Sequence, residues 1–485
     1  MDTKSPTCYL VGIKGTGMAS LAVLLKRQGR VVRGCDTDEQ FSTDVLLREH
    51  AIPVDHGFHE DLLPLDTDLV VHSSAYDPTL PILVHAALRG IPVYSYPRYL
   101  ACLSRLQDSY AVAGTHGKTT TCAVASHLLA SVSNRRFPFY TIYGSRQLGG
   151  SSDTFFGTDC ALFEACEYQD HFLSYRFRGA VVTSIEHDHP DYFPTKDSVI
   201  ESFKRFVDAL EAGGFLIVCS DDAGAKELGR YAKKHRADLT LLSYGFSASG
   251  PFQILKGEEG TYRVSILPDY SFALAVHAPA LVNDYVGAML LSLSILLDRP
   301  KPNLYCSDEV LITDEVVPTL VGRLGSHLAS FKGCSGRTEY LFSENGVTYL
   351  DDYAHHPTEI MTSLEEVRSA YPGHRVLVLF CPHTASRTKA LIDRFAAAFD
   401  GCDAVIVQKT YASARNDQAE GTDPARDLAV RLQGRDGCPV AYCDTDQACI
   451  SQAASWLQEN WLCITMGAGN NRHLCREIAA FQRSF

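Results

Sequence analysis

From Thr7 onward, short apolar runs alternate with amphipathic stretches, a rhythm that restricts the chain to folds in which helices cover largely parallel sheets. One series holds Tyr9-Leu10-Val11-Gly12, Val31 to Cys35, Leu69 to His72 and Ile91 to Tyr94. A second begins at Tyr110 and continues through Cys160 to Phe163, Ala180 to Thr183 and Phe215 to Val218. After the Gly/Ser-rich patch Lys332 to Gly336, apolar runs at Val347, Val376, Ala404, Val440 and Leu462 open a third. At 485 residues the chain exceeds what one core supports. Its expected division is 1–107, 108–332 and 333–485, an α/β protein of three domains.

The sharpest local signal lies at the head of the second series. Gly114-Thr115-His116-Gly117-Lys118-Thr119-Thr120 follows an apolar strand and precedes a helical run. In that setting glycines let backbone amides close on phosphate oxygens at a helix N-terminus. Lys118 then neutralises β- and γ-phosphates, and the Thr119 hydroxyl meets magnesium. A nucleoside triphosphate, ATP, is the expected ligand. Glu164-Ala165-Cys166-Glu167 and Glu186-His187-Asp188-His189 end two later strands, on the edge where parallel sheets bind ligands, and next to phosphates they suit Mg2+.

A second glycine loop, Gly12-Ile13-Lys14-Gly15-Thr16-Gly17-Met18, follows the first strand, and Asp36 ends the next one. Its spacing is wrong for a dinucleotide fingerprint. Amides at a helix N-terminus nevertheless accept a diphosphate from whichever nucleotide carries it. The third series carries Ser335-Gly336-Arg337, Asp351-Asp352-Tyr353-Ala354-His355-His356-Pro357-Thr358-Glu359 and Cys381-Pro382-His383 with Arg387. These runs are too polar for core strands alone.

Bulk properties narrow the field. A net charge of −13 opposes nucleic acid and anionic membrane surfaces as partners. Positive charge for an anionic substrate must therefore be local, from Lys118, Arg337, Arg387 and Arg415. Ala288 to Leu297, the longest apolar run, is interrupted by serines and is expected not to cross a bilayer. Sixteen cysteines without a C-x-x-C pair or a signal peptide fit reduced thiols and a cytoplasmic setting, with neither zinc nor disulfides.

Together these motifs resemble the Mur ligases of peptidoglycan synthesis, and within them the branch that adds the first amino acid, along essentially the whole length. The resemblance implies a UDP-sugar domain, a central ATPase domain and a C-terminal Rossmann-like domain that closes over the site. It implies ATP-dependent joining of L-alanine to the lactyl carboxylate of UDP-N-acetylmuramate through an acyl phosphate. By the same resemblance Asp36, Ser73, Ser74 and Arg98, with the loop Gly12, Gly15, Thr16, Gly17 and Met18, receive the UDP-sugar. Thr119, Glu164 and His189 bind Mg2+; Asp352 meets the ATP ribose and Arg337 the phosphates. His383 and Arg387 approach the substrates, and Tyr353 borders the amino-acid pocket with His355 and His356 beside it.

Several positions depart from the family pattern: Lys14 in the first loop, Ser184, Ala385, and the adenine loop, which reads Val282-Asn283-Asp284-Tyr285-Val286. Where the family has a histidine and two asparagines, only Asn283 retains an amide. The expected consequence is weaker ATP binding and weak discrimination between ATP and GTP. Lys204 is the nearest candidate for a carbamylated lysine. A ligase for recycled murein tripeptide and a non-catalytic UDP-sugar binder are the alternatives to alanine ligation. A nicotinamide-dependent dehydrogenase rests on Gly12 to Gly17 alone and leaves the loop Gly114 to Thr120 unexplained.

Overall fold

A computed structural model describes residues 5–133, 135–149, 154–258, 260–298, 316–411, 423–433, 437–469 and 471–483. The chain divides into two compact units. One comprises residues 1–187, 195–275 and 283–332, the other 188–194, 276–282 and 333–485.

Two parallel sheets organise the first unit. Strands β1 (Thr7–Val11), β2 (Val31–Asp36), β3 (Val54–His56), β4 (Leu69–His72) and β5 (Val93–Ser95) lie in the order β3-β2-β1-β4-β5. The order reverses between β1 and β4, at whose carboxyl ends Gly12 and Ser73 leave the sheet, on the edge where open parallel sheets bind ligands. Strand β1 is buried throughout because helices cover both faces, which is why it reads as one continuous apolar run.

The second sheet holds β6 (Asp108–Ala113), β7 (Phe139–Ile142), β8 (Cys160–Glu164), β9 (Gly179–Val182), β10 (Phe215–Cys219) and β11 (Thr240–Tyr244), in the order β11-β10-β9-β6-β8-β7. Here the first strand, β6, lies inside the sheet between β9 and β8, so the loop that follows it emerges between their ends. A small antiparallel sheet of β12 (Ile254–Lys256), β13 (Thr261–Val264) and β14 (Phe272–Ala273) is appended. The apolar run expected at Ala288 to Leu297 belongs to a longer helix, Pro279–Asp298. By length and composition alone this helix could cross a membrane; 72% of its most apolar window is buried in the protein, as in a core helix.

In the second unit β15 (Glu339–Glu344) runs antiparallel to β16 (Val347–Asp352). Parallel strands β20 (Trp461–Gly467), β17 (Arg375–Cys381), β18 (Ala404–Gln408) and β19 (Val440–Cys443) complete the order β15-β16-β20-β17-β18-β19. Alternate residues face opposite layers: Leu350, Val376 and Val378 pack into one core, Tyr349, Leu377 and Leu379 into the other. Among the described residues the cysteines are free thiols.

Candidate functional site

Between β6 and the helix Lys118–Val132 the chain turns through Gly114 (φ +139°) and Gly117 (φ +77°). A Cβ on Gly114 would stand 2.1 Å from Thr183 Oγ1, so only glycine lets the exit of β9 close on the loop. That closure is hydrogen-bonded. Thr183 Oγ1 donates to the His116 carbonyl (2.6 Å), His116 N–H donates to Ser184 Oγ (3.0 Å), and Glu186 N–H donates to Thr115 Oγ1 (2.9 Å). Ser184 thus uses its hydroxyl where the family pattern has an asparagine.

Lys118 Nζ curls back to the Gly114 (2.5 Å) and Thr115 (3.0 Å) carbonyls and to Glu167 Oε2 (2.9 Å). Burial pushes the ammonium pKa down, but the Glu167 carboxylate, with Cys166 and Glu164 nearby, outweighs burial and raises it. Thr119 Oγ1 donates to Glu164 Oε1 (2.7 Å), while Gly144 N–H fixes Glu164 Oε2 (2.7 Å). A hydroxyl and a carboxylate in contact are hard oxygen donors of the kind magnesium takes, so these two residues fit the ion. His116 Nε2 lies 3.1 Å from Glu186 Oε2. Within the Glu164 to Glu167 cluster, the structure thus separates two roles: Glu164 meets the Thr119 hydroxyl and Glu167 meets the Lys118 ammonium.

The N-terminal loop is held from beneath. Asp36 Oδ2 accepts from Lys14 N–H (2.7 Å), and Oδ1 accepts from Thr37 N–H (2.9 Å) and the Tyr76 hydroxyl (3.1 Å). The Lys14 ammonium is buried and donates to the Thr37 and Glu39 carbonyls, both at 2.8 Å. Gly12 lies against Ser73 and Tyr76, and Gly17 against the Tyr96 hydroxyl. Met18 is buried; Thr16, Ser74 and Arg98 are exposed, the last beside the Tyr94 ring.

In the second unit Arg387 grips Asp188 through two bonds, Nε to Oδ1 (2.8 Å) and Nη2 to Oδ2 (3.0 Å), both side chains being buried. Burial pushes the Asp188 carboxyl up; Arg387, with His189, His356 and His355, overrides this and holds it far below the usual range. His189 has φ +53°, and its ring lies 3.7 Å from Asp188. His355 Nδ1 meets the Tyr353 carbonyl (2.8 Å), and its ring stands 5.3 Å from that of His383. Burial lowers its pKa to about 4; Glu359 opposes this and Arg387 reinforces it. His356 is fully buried and accepts from Thr358 N–H (3.3 Å). Asp352 accepts from Thr338 N–H (3.0 Å), Thr338 Oγ1 (2.9 Å), Ser363 Oγ (2.8 Å) and Ala354 N–H (2.8 Å). Arg337 lies over the Tyr353 ring at 5.4 Å. Arg415 lies outside the described residues.

Val282 to Val286, the segment that the resemblance implies faces the adenine, lies in the first turns of the helix Pro279–Asp298. Val282 and Val286, one turn apart, are wholly buried, whereas Asn283 Nδ2 donates to Asp221 Oδ2 (2.9 Å). The Asp284 carboxylate reaches the phosphate loop: a Cβ on Gly117 would stand 2.2 Å from its Oδ1.

A strand, a glycine loop ending in a largely enclosed lysine and a helix N-terminus, set at the reversal of a parallel sheet, define a phosphate-loop α/β protein. Residues 7–107 match the Mur ligase family catalytic domain, 112–283 the Mur ligase middle domain, and 336–469 the Mur ligase glutamate ligase domain. The UDP-N-acetylmuramate–L-alanine ligase of Treponema pallidum (strain Nichols) is 33% identical over 491 residues, 97% of this chain and 95% of the relative. That of Desulfitobacterium hafniense is 32% identical over 466 residues, covering 95% and 97%. The chain belongs to the Mur ligase family. In fold it is similar to the UDP-N-acetylmuramate-alanine ligase of Thermotoga maritima (TM-score 0.73, 19% identity, 99% of each chain). A murein peptide ligase of Psychrobacter arcticus is also similar (TM-score 0.70, 18% identity, 99% of each chain).

Proposed function

We propose that the chain joins L-alanine to the lactyl carboxylate of UDP-N-acetylmuramate at the expense of ATP, in peptidoglycan precursor synthesis. The observation that supports this best is the Thr119–Glu164 oxygen pair set beside Lys118 on the phosphate loop. The domain reading that goes with it is 1–107 for the UDP-sugar, 108–332 for ATP and 333–485 for the ligase domain. A cytoplasmic setting follows from these substrates.

In this reading amides of Gly114 to Thr120 cradle the phosphates, and Lys118 exchanges its contact with Glu167 for phosphate oxygens. Thr119 and Glu164, with His189 as the third ligand implied by the family, would hold Mg2+, which supplies charge neutralisation at the transferring phosphoryl group. The muramoyl carboxylate attacks the γ-phosphorus and ADP leaves. The acyl phosphate so formed is attacked by the free amine of L-alanine. Its tetrahedral intermediate collapses to amide and phosphate. Two anions must approach each other in the first step, and Lys118, Arg337 and Arg387 are the cations that offset their repulsion. The loop Gly12, Gly15, Thr16, Gly17 and Met18, steadied by Asp36, receives the UDP diphosphate with Ser73, Ser74 and Arg98. Asp352 meets the ATP ribose, and Tyr353, His355, His356 and His383 surround the amino acid. A coupled phosphate-release assay with UDP-N-acetylmuramate tests the proposal: release with L-alanine supports it, and release only with a murein tripeptide replaces it by the recycling ligase.

A further inference from the structure

Asp221 stands two residues beyond β10, on the carboxyl edge from which the phosphate loop leaves β6, with β9 alone between those strands. Two inter-strand steps place it about 10 Å along that edge. This matches the reach of a nucleoside triphosphate from its phosphates across the ribose to its base. The Asp221 carboxylate accepts four hydrogen bonds: from Phe246 N–H (2.8 Å), Ser247 N–H (2.7 Å), Ser247 Oγ (2.6 Å) and Asn283 Nδ2 (2.9 Å). Burial pushes its pKa up, yet the Ser247, Asn283 and Phe246 donors prevail and keep it below the usual range.

An ionised carboxylate can only accept, so the Asn283 amide must turn its nitrogen to Asp221 and its oxygen away. Asn283 is 8% exposed, and its Oδ1 is buried without a hydrogen-bond partner among the described residues. An amide oxygen in that state is costly unless a ligand donates to it. The next residue, Asp284, already touches the phosphate loop at Gly117. The flanking valines are buried and carry no side-chain hydrogen-bonding group.

We propose that Asp221 sets nucleobase specificity: by locking the Asn283 amide it presents a lone acceptor, which selects a 6-amino purine over a 6-oxo purine. This rests on the ATP reading of the phosphate loop. It reverses the weak discrimination expected from the degraded loop sequence, because one amide of fixed orientation discriminates where a free one can flip. Adenine offers its 6-amino hydrogens to Oδ1; hypoxanthine and guanine offer a carbonyl oxygen, and two acceptors face each other.

Calorimetric titration of the full-length protein with ATP and with ITP, each with magnesium, tests the lock. ITP should bind roughly 10- to 100-fold more weakly than ATP. In Asp221→Asn the new carboxamide can donate or accept, Asn283 is free to flip, and ITP affinity should rise in absolute terms until the ratio falls below about threefold. Mere structural damage would weaken both nucleotides instead. Asn283→Ala, which spares the three other Asp221 bonds, should also equalise the two by loss of ATP affinity. Equal binding of ATP and ITP to the parent protein, abolished for both by Lys118→Ala, overturns the lock and leaves the ATP reading standing. An Asp221→Asn protein with the parent ratio likewise overturns the lock, whereas failure of both nucleotides to bind overturns the ATP reading with it.

Discussion

Lys118 is a largely enclosed cation paired directly with the carboxylate of Glu167, itself almost wholly buried. Removing one partner of such a pair costs more than the pair contributes, since the remaining charge has lost its compensation. Glu167→Gln is expected to lower stability by about 3 kcal/mol. An unchanged denaturant midpoint would show that the two carbonyl acceptors of Lys118 suffice alone. His355 gives a second test at this scale. Its pKa of about 4 in the folded protein lies below the unfolded value of about 6.5. Between these values the unfolded chain binds more protons, so stability rises with pH across the window and is lost as pH falls toward 4. The contribution is about 2–3 kcal/mol at pH 4.5 relative to pH 7. His355→Gln should remove that part of the acid sensitivity, measured as the difference in unfolding free energy between the two pH values.

At the scale of elements, the turn from β6 into the helix Lys118–Val132 depends on Gly117 being in the left-handed region with the Asp284 carboxylate against it. Gly117→Ala therefore meets two costs: about 1–2 kcal/mol for the backbone, and a collision with Asp284. Asp284→Ala relieves only the second, so the double variant should be more stable than the sum of the single changes implies. Additive unfolding energies, within about 0.5 kcal/mol, would mean that the two residues do not touch. The central strands of the three larger sheets were legible because burial on both faces makes them continuous apolar runs. Strands β3, β11 and β15 lie at sheet edges with mixed burial, and their polar residues hid them. The loop motifs were legible too, but not which way their side chains turn. Val282 and Val286 looked like lost base contacts, yet a helix places positions four apart on one face, and here that face is buried.

At the scale of the molecule, the first unit repeats one device: a parallel sheet whose order reverses, with a glycine loop at the carboxyl end of a strand beside the reversal. The repetition means that two phosphate-bearing ligands need not compete for one loop. The loop after β1 is steadied by Asp36 and Lys14, the loop after β6 by Thr183, Ser184 and Lys118, and these hydrogen bonds stay within each loop's own sheet and connections. Loss of the Lys118 ammonium should then be felt at ATP alone. Lys118→Ala is expected to abolish turnover, since a fixed charge at a phosphoryl transition state contributes about 3 kcal/mol or more. It should weaken ATP binding markedly and leave the affinity for UDP-N-acetylmuramate within about threefold of the parent, because replacing one cation at the head of a helix that follows a different sheet removes no contact to the UDP diphosphate. Calorimetric titration of the variant with each ligand separately decides the matter. Equal weakening of both would mean that Lys118 reaches the sugar nucleotide as well, and the assignment of one ligand to each glycine loop would fall.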